Sequence, residues 1–175
     1  LPGHFTFQPM DNIIIPLINA ARIGDLQQLK ALVTAENINL RDEKGYTPLI
    51  IASYNHQLTA AKWLIEQGAD VDAADFGGNT ALMGAAFKGY ADIAELLIDH
   101  CADLDRQHGN GGTALMFAAM FGRNDLLSLL LKHGANAALA DSRGLTVFDL
   151  AAQQGNEEAI NILEEHTAQK KAALD

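Results

Sequence analysis

The sequence is poor in what several protein classes require. It has one cysteine, Cys101, so neither an internal disulfide nor a cysteine-based zinc site can be built from this chain. Lys and Arg total 12 against 22 Asp and Glu, giving a formal net charge of −10. No basic cluster offsets that balance locally, which disfavours phosphate backbones and anionic lipid. Neither a nucleic-acid partner nor membrane insertion is therefore expected. The longest apolar run, Ile13-Ile14-Ile15-Pro16-Leu17-Ile18, is interrupted by proline. It is far shorter than the roughly 20 residues that span a bilayer. The first residue is Leu1 rather than Met. That leaves two expectations for localisation: cytoplasmic, or periplasmic or exported after removal of a signal peptide.

What is present is enough for one folded domain. An apolar fraction of 49% with 19% charged residues, over 175 residues, matches a chain that buries a sizeable core.

Its dominant feature is an internal repeat. Thr47, Thr80, Thr113 and Thr146 are separated by steps of 33 residues, as are Ala52, Ala85, Ala118 and Ala151, and Leu64, Leu97, Leu130 and Leu163. Gly89, Gly122 and Gly155 share a further column, in which the second copy has His56. An earlier copy begins at Pro16-Leu17-Ile18 and ends at Glu36-Asn37-Ile38-Asn39, one residue short because it lacks the glycine before that stretch.

Each unit reads as two antiparallel helices. The threonine caps the first helix, with Pro48 suited to its opening position in one copy. Small residues such as Ala52-Ser53, Ala85-Ala86 and Ala118-Ala119 allow close approach of neighbouring helices. A second, apolar helix follows, and Gly68 and Gly134 suit the left-handed residue that closes it.

These residues resemble the ankyrin repeat, with its Gly-x-Thr-Pro-Leu-His-x-Ala-Ala signature and its Gly-Ala-Asp closing turn. The resemblance covers residues 13–166. It implies an all-α ankyrin-repeat solenoid of about five helix-turn-helix repeats joined by β-turn or hairpin-like loops. The repeats span approximately 13–41, 42–74, 75–107, 108–140 and 141–166. Residues 1–12 form an N-terminal extension in which Phe5, Phe7 and Met10 are expected to pack as a cap, and 167–175 a polar C-terminal tail. The signature histidine is replaced by Ile50, Met83, Met116 and Asp149, so the loops are expected to rely more on threonine and apolar packing. Cys101 replaces a closing glycine, at a strain cost of about 1 kcal/mol.

The resemblance further implies a non-enzymatic protein-binding module that holds another protein on its concave face. The chain is expected to be a monomer without cofactor or metal. Small stand-alone ankyrin proteins of this kind resemble bacterial ones, some exported and supporting peroxide defence. The roles implied are adaptor, inhibitor, immunity-type neutraliser or stabiliser. The repeat register places Tyr46, Tyr54, Phe76, Phe87, Lys88, Met120, Phe121 and Arg143 on the concave side. Tyr54, Phe87 and Met120 occupy one column, so a continuous apolar stripe across inner helices about 8–10 Å apart is expected.

Two other readings compete. One is a small metal- or thiol-dependent enzyme using the histidines or Cys101. His100, His133 and His166 share a column, but that column spaces them as neighbouring helices are spaced, too far apart to reach one ion at about 2 Å. A histidine at a helix C-terminus is better explained by the helix dipole. The other is a scaffold whose stripe self-associates. Trp63, in a column with Leu96, Leu129 and Ile162, is expected in the core.

Overall fold

The structure, a computed structural model, describes residues 11–175. Ten helices are present among them. The inner helices are α1 (Asp11–Ile23), α3 (Pro48–Tyr54), α5 (Ala81–Lys88), α7 (Ala114–Met120) and α9 (Val147–Gln153). The outer helices are α2 (Leu26–Leu32), α4 (Leu58–Glu66), α6 (Ala91–Asp99), α8 (Asn124–Lys132) and α10 (Glu157–Ala172). Each inner helix packs on its own outer helix and on the inner helix of the next unit. The result is the all-helical solenoid that the 33-residue columns imply.

The starts of the inner helices follow from threonine. The side chains of Thr47, Thr80 and Thr113 accept from the N–H groups of Ile50, Met83 and Met116, at 3.2, 3.3 and 3.3 Å. This satisfies donors that a helix N-terminus leaves without partners. At the fourth position the chemistry changes: Asp149 accepts from both the N–H and the hydroxyl of Thr146.

Where the signature histidine is missing, Ile50, Met83 and Met116 are buried and fill the layer beneath the loops. Polar ties also join neighbouring units. The Arg41 guanidinium donates to the carbonyl of Ala74. Two repeats further along, the Gln107 amide donates to the carbonyl of Ala140 at 2.9 Å. In the same connecting segments Asn39, Asp72 and Asp105 accept from the N–H of Asp70, Asp103 and Asn136 in the following units, at 2.8–2.9 Å. Packing is thus supplemented by side chains that reach one repeat forward.

Helix ends are handled differently from copy to copy. His56 (φ 58°) and Cys101 (φ 64°) take the left-handed conformation that glycine holds in the other copies. His56 is compensated: its ring stacks on Tyr90 at 4.0 Å, and its Nε2 lies 2.9 Å from the Asp92 carboxylate. In the first unit, which lacks the closing glycine, the buried Asn37 side chain does the work. It donates to the Leu32 carbonyl at 2.8 Å and accepts from the Thr34 N–H at 2.7 Å.

Three sequence expectations need comment. Trp63, Leu96, Leu129 and Ile162 are half-buried at the edge of the core, not within it. The outer helices turn Leu64, Leu97, Leu130 and Leu163 fully inward, and an adjacent residue on a helix points about 100° away. Helix α10 runs on to Ala172, past the repeat boundary at 166, and α1 takes in residues 11 and 12. The cap expected of Phe5, Phe7 and Met10 lies outside the described residues.

Two substitutions test this account of the core and the turns. The hydroxyl of Ser53 is buried without a hydrogen-bond partner among the described residues, in a column otherwise held by alanine. Ser53→Ala should raise unfolding stability by about 1 kcal/mol, measured by urea denaturation. Cys101→Gly should also stabilise by up to about 1 kcal/mol, since glycine holds the left-handed conformation without strain. An unchanged midpoint in both variants would contradict the assignment of local cost to these sites.

Candidate functional site

Three of the four loops that join the units are built around an aspartate. Asp42 Oδ1 accepts from the N–H of Lys44 and Tyr46, Asp75 Oδ1 from Gly77 and Asn79, and Asp141 Oδ1 from Arg143 and Leu145, all at 2.8–3.0 Å. His108 holds this place in the third loop and does half the task, its Nδ1 accepting from Asn110 N–H at 3.0 Å. The loops then bond to one another. Phe76 N–H donates to the Lys44 carbonyl, Gly109 to Gly77 and Ser142 to Asn110, at 2.9–3.2 Å. Gly45 is required by this closeness, because a Cβ there would stand 2.6 Å from the Phe76 nitrogen. The loops therefore form a backbone-bonded row along one side of the inner helices.

Aromatic side chains bridge the inner helices beneath that row. The rings of Tyr54 and Phe87 lie parallel with centroids 6.3 Å apart. Phe87 meets Phe121 edge-on at 4.7 Å, and Phe121 in turn lies 6.4 Å from Phe117. His108 is 5.3 Å from Phe117, so the run extends back to a loop. Lys88 places its ammonium 5.0 Å above the Tyr54 ring. These arrangements are the ones aromatic quadrupoles favour.

The face is grooved. One groove of about 400 Å³ lies between α3 and α5, walled by Tyr46, Tyr54, Phe87 and Phe117, with Arg22 at one end and Asp75 and Asn79 on the loop side. Its floor includes Gly84, in the column of Ile51, Phe117 and Leu150. A glycine in the middle of a helix costs about 1 kcal/mol relative to alanine. A second groove of about 460 Å³ is lined by His108, Met116, Phe117, Met120 and Arg143. A third, of about 600 Å³, lies beside α1 between Ile14, Ile15, Arg22, Glu43 and Phe76.

The family model for ankyrin repeats matches residues 17–108 and 82–173, and so nearly all of the helical stack. The chain belongs to the ankyrin-repeat family. Among curated proteins, 60 residues are 42% identical to alpha-latrocrustotoxin-Lt1a of Latrodectus tredecimguttatus. A stretch of 59 residues is 44% identical to the palmitoyltransferase akr1 of Schizosaccharomyces pombe. Each match covers 33% of this chain but only 4% and 9% of those relatives, respectively. The chain thus spans less than a tenth of the length of the relatives it matches, and their names describe much larger proteins. Ankyrin repeats are a protein–protein interaction module.

On this ankyrin face the eight residues singled out in the sequence do not form one site. Tyr46, Tyr54 and Phe87 line the first groove, Met120 and Arg143 the second, and Phe76 the third. Phe121 is 42% exposed and joins the first two through its contacts with Phe87 and Phe117. Lys88 stands beside the first. Phe117 and Gly84 were missed. Their column holds buried Ile51 and Leu150 and so reads as core; the signal was the glycine interrupting it.

The first histidine of the column, His100, has a local explanation. His100 Nδ1 lies 2.9 Å from the Leu96 carbonyl, at the end of α6. Among the described residues no group of three or more His, Cys, Asp or Glu side chains converges on a common point. Nor is any helix among them long and apolar enough to cross a membrane.

The loop aspartates are testable by titration. The Asp141 carboxyl is held below its ordinary value of 3.8, first by the Leu145 N–H, against the opposing effect of burial, and then by the Arg143 side chain 2.9 Å away. A lowered native pKa means stability that is present above the unfolded value and lost as pH falls through the native one. Carbon-13 NMR should show Asp141 titrating below pH 3.8, with the fourth loop loosening under acid only below that point. In Arg143→Ala its midpoint should rise yet stay below 3.8, because the Leu145 N–H remains.

Proposed function

We propose that this ankyrin-repeat chain acts without catalysis and holds a partner protein on its concave face through Tyr46, Tyr54, Phe76, Phe87, Lys88, Met120, Phe121 and Arg143. The observation that carries this reading is the aromatic run from Tyr54 through Phe87 and Phe121 to Phe117, which crosses three inner helices beside open grooves. Tyr54 and Phe121 are each 42% exposed and Phe76 71% exposed. Large apolar side chains left accessible together on a rigid surface are what interfaces use as anchors. The rigidity has its own value, because a preformed surface pays little ordering entropy on binding. Such a module serves as an adaptor, inhibitor or stabiliser of the protein it holds. In the palmitoyltransferase relative, by contrast, the matched stretch is a small part of a protein named for an acyl transfer.

The test is the pair at the centre of the run. Tyr54→Ser with Phe87→Ser should keep the helical circular-dichroism spectrum, lower stability by about 1–3 kcal/mol, and abolish affinity capture of the partner from source cells. Retained capture, or collapse of the fold, would sink the reading. Light scattering that rises with concentration in the wild type and is lost in the variant would replace it with self-association.

A further inference from the structure

The first groove has two features that packing alone does not explain. Gly84 leaves a gap at the centre of α5, where the neighbouring helices carry Ile51 and Phe117, at a cost in helix stability. Filling that gap would meet no backbone: the nearest atom to an added Cβ is Tyr54 Cδ2, at 3.4 Å. An alanine would fit there, at contact distance from the Tyr54 ring, and stabilise the helix. What its absence provides is a notch between the Tyr54, Phe87 and Phe117 rings.

The second feature is charge. The chain carries a net charge of −10, yet at this groove two cations, Arg22 and Lys88, outnumber the one lining carboxylate, Asp75. Asp75 stands on its loop side, and its carboxylate, though still charged, is held in its own turn by the N–H groups of Gly77 and Asn79 and by the Asn79 amide. Arg22 closes one end, braced by Asn19 Oδ1 at 2.8 Å, and Lys88 sits over Tyr54. Neither cation forms a salt bridge among the described residues.

We infer that the Gly84 notch takes a single aromatic side chain from an acidic segment of the partner protein, with the segment's carboxylates facing Arg22 and Lys88. This rests on the concave-face reading and specifies the chemistry of the partner. A groove of about 400 Å³ suits one large side chain with its flanking backbone, and the ring walls offer edge and face contacts. Charge complementarity sets the sign of the flanking residues. The overall acidity of the chain points to a basic partner; the local field at this groove is the opposite, and at short range the local field governs.

Random peptides displayed on phage would be panned on the purified full chain, on Gly84→Leu, and on the Tyr54→Ser/Phe87→Ser pair. The wild type should enrich peptides with one aromatic residue flanked by Asp or Glu. Resynthesised, these peptides should bind Gly84→Leu at least about thirty-fold more weakly. Arg22→Glu/Lys88→Glu should also weaken them, and added salt should weaken binding to the wild type. If Gly84→Leu loses its native circular-dichroism spectrum, Gly84→Ala takes its place, with a loss of about ten-fold expected. Peptides that bind Gly84→Leu as tightly as wild type but fail on the serine pair would overturn this inference and leave the concave-face reading standing. Peptides bound equally by all three would overturn both. Enrichment of basic flanks, or of nothing, would overturn the notch proposal.

Discussion

Everything on the working face depends on how closely the inner helices approach one another. Ala52, Ala85, Ala118 and Ala151 recur at one level of the stack and have no exposed surface. With a methyl group as the whole side chain, adjacent helices can settle at short spacing, and the loops they carry come into hydrogen-bonding range. The Phe76–Lys44, Gly109–Gly77 and Ser142–Asn110 bonds are consequences of that spacing. So is the reach of the Tyr54 ring to Phe87 and of Phe87 to Phe121. A larger residue in the alanine column would separate the helices and break both the loop row and the aromatic run.

Given that spacing, stability is distributed over interfaces between neighbours, and lapses in one copy remain local. The structure shows how each lapse is met. His56 in a left-handed turn is held by Tyr90 and Asp92 of the next unit, and Asn37 closes a helix that has no glycine. Asp149 replaces a histidine and ties Thr146 instead. Cys101 has only its backbone turn, so its strain stays uncompensated. Many acidic residues have a structural task as well: Asp72, Asp75, Asp105 and Asp141 each accept from backbone N–H groups and so fix the turns that carry them.

The architecture was legible because a period of 33 residues is a global signal. Threonine caps, alanine contacts and inward leucines all keep step with it, and each column makes the others credible. The face was legible only in part. The column of Tyr54, Phe87 and Met120 falls on residues that line the grooves, but a column gives a position on a helix and not the direction of a ring. Phe87 turns edge-on to Phe121, and Met120 lines the neighbouring groove. Phe117 had no signal of its own, being one apolar residue in a column with Ile51 and Leu150; the structure leaves it half-buried and lines the groove with it and Gly84. Trp63 failed in the opposite sense, since shared apolar character along a column does not separate the centre of a helix face from its edge.

A repeat array makes such a missing side chain informative. Because neighbouring units supply the expected residue, the departure can be measured against Ile51, Phe117 and Leu150 of the same chain. A glycine at a turn has a backbone reason, as Gly45 does where a Cβ would strike the next loop. Gly84 has none: it lies mid-helix with no strained backbone angle, and an added methyl would meet only the Tyr54 ring at contact distance. The fold would be more stable with it filled. A helix position left unfilled at a cost to the scaffold, beside two cations that form no salt bridge among the described residues, is the pattern expected if the proposed binding is what the groove is kept for.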